Sequence, residues 1–371
     1  LMQDREGIIW VGTLGKGLFK LMAKPFSKFG DGMYEPGSLF GFEQDSEGNI
    51  LFQDIYEGIF RWDGTSVEPI VNQANTGAKR FFSITTDSSG TTWVGTTSGL
   101  VEYRDRIVKI HTSNDGLPGD FVRTAHAYGE SLWMGTNEDG LVEYRNGEFT
   151  VHFKDELAGQ YIHYIHQSAN GDLWIGTGGG LFRKRGDKLE HFLNGLCNSY
   201  VGSIAEDKWG NIWVATDHCV SMFDGQEFHN YNRRDGMSSN VVYLIQNDSE
   251  GNIWIGTNNG LDKLIFGEDG EVLNVKHYSQ SEGFAGIECN ARASFVDDDG
   301  RMWIGSIDGA YIYNEKFDEI NRKPPITFIR NIEIFFDPEI TYKYCEGELN
   351  WFGLPDEFNL PHFHNHLTFD F

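Results

Sequence analysis

Asp248-Ser249-Glu250-Gly251-Asn252-Ile253-Trp254-Ile255-Gly256-Thr257 decides the fold, because the chain has already presented it as Asp4-Arg5-Glu6-Gly7-Ile8-Ile9-Trp10-Val11-Gly12-Thr13. Six more copies occur. The tryptophan position falls at Trp10, Leu51, Trp93, Trp133, Trp174, Trp213, Trp254 and Trp303, at intervals of 41, 42, 40, 41, 39, 41 and 49 residues. Six residues before it stands Asp in six of eight copies, Ala127 and Ser168 being the exceptions. Gly stands three before it in seven copies, and Thr or Ser three after it in seven.

Asp-x-x-Gly reads as a turn in which the carboxylate accepts backbone N–H groups and Gly supplies a positive φ. The segment Leu/Ile-Trp-Val/Ile-Gly-Thr has no helical period and is rich in β-formers, so it predicts a buried strand. A second turn follows, closing at Gly17, Gly58, Gly99, Gly140, Gly180, Gly260 and Gly309, with Cys219 in their place once. Leu141-Val142-Glu143-Tyr144 and Phe149-Thr150-Val151-His152-Phe153 read as third and fourth strands, and Tyr243-Leu244-Ile245 as a first. Four antiparallel strands in about 41 residues make one propeller blade.

The spacing therefore predicts an all-β chain: a seven-bladed β-propeller over 41–320, with an eight-bladed ring as the alternative. Residues 1–40, lacking an inner strand, read as a partial blade from a preceding propeller. After Lys323-Pro324-Pro325 the repeat stops, and 323–371 reads as a truncated β-sandwich. Composition agrees, with 45 Gly for turns and ten Trp for strands. The 30 Lys and Arg against 55 Asp and Glu give a net charge of −25, which argues against nucleic acid as a partner.

No window of 18 apolar residues exists, so no membrane contact is expected of this stretch. Leu1-Met2-Gln3-Asp4-Arg5-Glu6-Gly7 lacks signal-peptide character, so an export signal is expected upstream or already removed. Cys197, Cys219, Cys289 and Cys345 are widely spaced and read as small buried side chains.

The repeat resembles that of the two-component regulator propeller, whose core reads Asp-x-x-Gly-x-Leu/Ile-Trp-Ile/Val-Gly-Thr-x-x-Gly-Leu. The connecting segments Asn114-Asp115-Gly116-Leu117-Pro118, Arg234-Asp235-Gly236-Met237-Ser238 and Glu282-Gly283-Phe284 resemble the loops of that family. The tail from Pro324 to Asn365-His366-Leu367-Thr368-Phe369-Asp370-Phe371 resembles the start of a triple-tyrosine domain. The resemblance implies a periplasmic sensor module of a membrane-anchored histidine kinase or hybrid regulator, often tuned to glycans. It also leaves a homodimer open. The kinase would lie outside the stretch, so no enzymatic activity and no cofactor are expected.

Positions that recur in every blade are scaffold; positions that vary at equivalent places point to a ligand. Thirteen before the tryptophan stand Arg80, Asp120, Tyr161, Tyr200, Val241 and Asn290; eleven before it stand Phe82, Val122, His163, Gly202, Tyr243 and Arg292. Propeller ligands usually sit in the central funnel, at the start of the inner strands. Arg80, Tyr161, His163, Tyr200, Tyr243, Asn290 and Arg292 are therefore the expected ligand-binding residues, suited to an oligosaccharide or another small polar molecule by stacking and hydrogen bonds. A highly sulfated glycan requires a locally basic funnel, through Arg80, Arg123 and Arg292. No catalytic or metal residue is expected, although His362, His364 and His366 alternate along one strand. The competing functions are a propeller lyase or glycosidase and a protein-docking scaffold.

Overall fold

The structure, a computed structural model, describes the chain apart from residues 5–8, 22–23, 31–36, 137–139, 287, 319–330, 335–344, 350–354, 359, 361–366 and 371. It divides into a unit spanning Ala23–Asp318 and one formed by Leu1–Met22 with Glu319–Phe371.

Within Ala23–Asp318 lie seven four-stranded antiparallel sheets. Six are continuous in sequence, at 39–71, 81–111, 122–152, 162–192, 203–231 and 242–278, and will be called the first to sixth blades. The seventh takes three strands from 289–313 and its outer strand from Phe26–Lys28, registered Tyr311 to Lys28 and Tyr313 to Phe26. Each innermost strand packs on the next, and Leu39–Gln44 neighbours both Phe81–Thr86 and Cys289–Val296, so the ring closes. The boundary expected at residue 40 is thereby corrected: Phe26–Lys28 serves the seventh blade. Pairing over this sequence distance leaves no local signal.

Each repeated residue has a visible role. The Asp carboxylate closes its turn and also holds the tryptophan: Asp207 Oδ1 accepts from the N–H groups of Trp209 and Asn211 at 2.9 Å, and Oδ2 accepts from Trp213 Nε1 at 2.7 Å. The same indole bond recurs from Trp93 to Asp87 at 2.8 Å, from Trp254 to Asp248 at 2.9 Å and from Trp303 to Asp297 at 2.9 Å. Where Ser168 replaces Asp, Trp174 Nε1 is buried without a partner. The Thr closes the second turn, as in Thr96, whose Oγ1 donates to the Gly99 carbonyl at 2.8 Å. Gly99 has φ +120°, and a Cβ there would lie 2.3 Å from the His111 carbonyl, so a side chain is excluded.

The Gly after the strand tryptophan serves blade-to-blade packing. A Cβ on Gly135 would lie 2.5 Å from Ile162, and one on Gly305 2.5 Å from the Leu39 carbonyl, across the joint between seventh and first blades. Two copies depart from this pattern without losing their sheet. Gln53 is buried and donates to the Phe81 carbonyl at 2.7 Å, and Ala215 sits buried in the fifth blade. The connecting loops are short capped turns ending in a left-handed Gly, followed by a buried anchor: Leu117, Met237 and Phe284 after Gly116, Gly236 and Gly283.

Cys197 and Cys219 form a disulfide, with Cα atoms 6.2 Å apart, which corrects the reading of both as simple buried thiols. Cys289 is buried and unpaired. In the second unit, Met2–Gln3, Ile9–Thr13 and Gly17–Leu21 form a three-stranded sheet. Asn331–Ile334 pairs with Leu367–Asp370, and Cys345–Leu349 with Pro355–Phe358. Most of the sequence that resembles a triple-tyrosine domain, with His362, His364 and His366, lies outside the described residues.

Candidate ligand site at the channel mouth

The seven innermost strands line the central channel, and near its start six of them are irregular at the same place. In the first blade Leu39 opposes Asp54 and Gly41 opposes Gln53, leaving Phe40 as an extra residue. The same one-residue bulge falls on Phe82, Arg123, His163 and Tyr243. In the seventh blade the irregularity widens: Cys289 opposes Ser306, regular pairing resumes at Ser294 with Ile304, and Arg292 between them has φ +63°. The fifth blade has Gly202 at the equivalent place, its N–H donating to the Ala215 carbonyl at 3.0 Å. A bulge bends its strand and re-aims one side chain. The shared backbone device thus presents phenylalanine from the first two blades and arginine, histidine and tyrosine from the third, fourth and sixth.

Three of these blades converge on His163. Arg123 Nε donates to its Nδ1 at 3.1 Å, and Arg292 Nη1 donates to its carbonyl at 2.7 Å. The Tyr200 ring lies 4.7 Å from the imidazole. Gly202 makes room for that tyrosine, since a Cβ there would stand 2.9 Å from the ring. With Nδ1 accepting from Arg123, the network assigns the imidazole proton to Nε2, leaving that N–H as a donor.

Beside this cluster a cavity of about 190 Å³ is walled by residues that include Phe40, Phe82, Thr124, Tyr164, Gln246 and Arg292. Among the described residues Glu43 is the one carboxylate in its wall. A larger opening, about 390 Å³, lies between the first two blades, walled by turn residues such as Asp45 and outer residues such as Arg106.

The electrostatics follow from burial beside two cations. Burial, reinforced by Arg123 and Arg292, pulls His163 down to about 4. Burial, with Arg292 and His166 adding to it, pulls His126 to about 3. The Arg292 guanidinium is itself held below its ordinary range, by burial and then by Arg123. Burial pushes Glu43 up to about 7, against hydrogen bonds from the Gln44 and Thr86 N–H groups. Elsewhere Arg61, Arg145, Arg183, Arg185 and Arg301 pair with carboxylates. Among the described residues neither Arg123 nor Arg292, both half-buried, has such a partner.

Of the expected site residues, the structure brings together His163, Tyr200 and Arg292. Arg123 joins them; the turn of the third blade, which carries Trp133, is one residue short, which moved its register from Val122. Tyr243 is apart, its hydroxyl donating to Glu288 at 2.8 Å. Arg80 lies over the Tyr56 ring, 5.7 Å from its centroid, and Tyr161 is exposed. Asn290 is corrected: it is buried, and its amide donates to the Leu39 carbonyl at 2.7 Å and the Ser306 carbonyl at 2.9 Å, joining the seventh blade to the first.

The chain is similar over 96% of its length, at 22% identity and TM-score 0.74, to a B. thetaiotaomicron extracellular domain assigned to the hybrid two component system BT3049. A second B. thetaiotaomicron extracellular domain, assigned to BT4673, matches 78% of the chain at 21% identity and TM-score 0.63. The chain spans 48% and 40% of these two domains, about half their length or less. A catalytically inactive virginiamycin B lyase of Staphylococcus aureus, solved with Quinupristin, matches 77% of the chain and 98% of its own at 12% identity and TM-score 0.61. These likenesses establish the propeller fold. No curated protein matches the sequence. Residues 156–179, 195–218 and 236–259 match the family model of the two component regulator propeller, and the chain carries repeats of that family.

Proposed function

We propose that this chain is an extracytoplasmic ligand-binding sensor module of a two-component signalling protein, and that its propeller recognises a small polar ligand, an oligosaccharide, at the channel mouth. The observation that carries the proposal is the one-residue bulge shared by five blades, widened in the seventh, which aims phenylalanine, arginine, histidine or tyrosine at the channel from an equivalent place. Aromatic rings and hydrogen-bond donors at the mouth suit stacking and polar contact with a sugar.

The Cys197–Cys219 disulfide supports an oxidising compartment. No helix among the described residues is long and apolar enough to cross a membrane, so an anchor belongs elsewhere in the full protein. The strand pairs after Glu319 fit a relay domain of the triple-tyrosine kind, acting on a kinase through orientation or dimerisation. A thermal-shift panel of oligosaccharides tests the proposal: a specific binder raises Tm by mass action. If none shifts the melting temperature, recognition of a sugar fails.

A second reading, a propeller lyase or glycosidase, is favoured only by the virginiamycin B lyase likeness. Paired-carboxylate glycoside hydrolysis needs two acids, whereas among the described residues the cavity wall offers Glu43 alone. Product formation from the same panel would replace the sensor proposal with this one.

A further inference from the structure

We infer that the channel mouth recognises an oxyanion-bearing sugar, whose anionic group is held between Arg123 and Arg292. This rests on the sensor proposal and narrows its ligand. The whole chain carries −25, so an anion is repelled at long range and must be recognised by something local. Two guanidinium groups meet at one residue: Arg123 on the His163 ring at 3.1 Å, Arg292 on its carbonyl at 2.7 Å. Neither has a carboxylate partner among the described residues, although Arg61, Arg104, Arg106, Arg145, Arg183, Arg185 and Arg301 do. A planar guanidinium fork matches a carboxylate or sulfate edge by paired hydrogen bonds.

The neighbours are arranged to leave that charge available. His126 and His163, held neutral, leave Arg123 and Arg292 as the positive charges of the cluster, and His163 offers its Nε2–H as a further donor. Arg292 occupies left-handed backbone at φ +63°, inside the most irregular of the inner strands. Strain of this kind persists where the surroundings require one placement of the side chain. The cavity beside Arg292, about 190 Å³, lies below the ~300 Å³ typical of pockets for drug-sized molecules. It therefore suits a single sugar ring, with Phe40, Phe82 and Tyr164 as stacking faces, the remaining residues of a chain lying over the mouth.

Isothermal titration of the whole 371-residue chain at physiological salt tests this with a hexuronate trisaccharide, the corresponding neutral trisaccharide, a sulfated trisaccharide and inorganic sulfate. The expected result is that an acidic trisaccharide binds at least ~10-fold more tightly than the neutral one. Arg123→Gln and Arg292→Gln should each weaken acidic binding ~10- to 100-fold, the range for charge-assisted hydrogen bonds, and weaken neutral binding less, so that the preference for the acidic sugar falls. Whether the uronate or the sulfated sugar binds better identifies the source of the oxyanion, and either supports the inference. Arg123→Gln lies at a regular bulge and keeps the test decisive if Arg292→Gln disturbs folding, which circular dichroism would report. Equal binding of the neutral sugar, unaffected by either variant, overturns the inference and leaves the sensor proposal standing. Sulfate binding as tightly as any trisaccharide overturns the sugar part. Absence of binding by every trisaccharide overturns both.

Discussion

The turn end of the blades and the channel mouth are built from the same repeat and treat it in opposite ways. At the turn end Asp87, Asp207, Asp248 and Asp297 hold Trp93, Trp213, Trp254 and Trp303 through the same indole bond, with the same side chains each time. At the mouth an equally regular bulge carries Phe40, Phe82, Arg123, His163 and Tyr243 in different blades. A constant side chain on a constant backbone is scaffold. A varied side chain on a constant backbone is where a ring of copies acquires one asymmetric site.

Acid should separate the two regions most strongly. Burial opposes ionisation of Asp87 and Asp248, but hydrogen bonds led by Ser89 and Trp93 at the first and Trp254 and Asn252 at the second hold both pKa values below the ordinary range. Their contribution is present above the unfolded value near 4 and lost as pH falls through the folded value. His163 and His126, at about 4 and about 3, contribute fully above their unfolded value near 6.5 and lose that contribution as pH falls toward 4. Glu43, raised to about 7, has the opposite sign: its contribution is present below about 4.5 and lost as pH rises through 7, so it blunts the histidine step. Denaturant melts across pH should show two successive declines on acidification; a stability flat from pH 7 to 3 would break this assignment.

At the turn end, Trp303→Ala removes a fully buried indole and should cost about 3–5 kcal/mol in urea unfolding. Asp207→Ala should cost about 2–3 kcal/mol, because it leaves two turn N–H groups and an indole N–H without their acceptor. Ser168→Ala should cost about 1 kcal/mol or less, since Ser168 Oγ meets only Asn170 and the Asp172 carbonyl. Equal losses from the two would mean that the indole bond contributes little. The mouth should respond with the reverse sign: Arg292→Gly relieves a left-handed residue and a half-buried cation without a carboxylate partner among the described residues, and a thermal melt should show stabilisation of about 1 kcal/mol. Destabilisation there would place Arg292 in the scaffold.

The blades were legible because their signals are local: a turn, a strand and a closing glycine lie within fourteen residues of one another. The funnel register was legible for the same reason, and eleven residues before the tryptophan are Phe82, His163, Gly202, Tyr243 and Arg292. What escaped was either long-range or set by geometry. The outer strand Phe26–Lys28 pairs with residues near 312, and sequence spacing assigned it to another ring. Cys219 was visible as a replaced glycine, but its pairing with Cys197 depends on a 6.2 Å approach that spacing cannot supply. Asn290 carried the polarity of a ligand residue and instead joins two blades. The coupling of Asp to Trp showed as co-occurrence, and its reason appeared only with the indole bond.

The seventh blade's composite construction has a mechanical consequence. Phe26–Lys28 and Gly309–Tyr313 are held by three registered pairs, by the Phe26 ring among Trp254, Tyr278, Phe284 and Tyr313, and by the Asn314 N–H donating to the Pro25 carbonyl at 2.7 Å. Both ends of the circular segment thus leave from one blade, side by side. Tension between them would bear first on this single seam, while the other six blades are each threaded by continuous chain. The ring therefore has a built-in latch, and a load applied across it would open the circle at a known place.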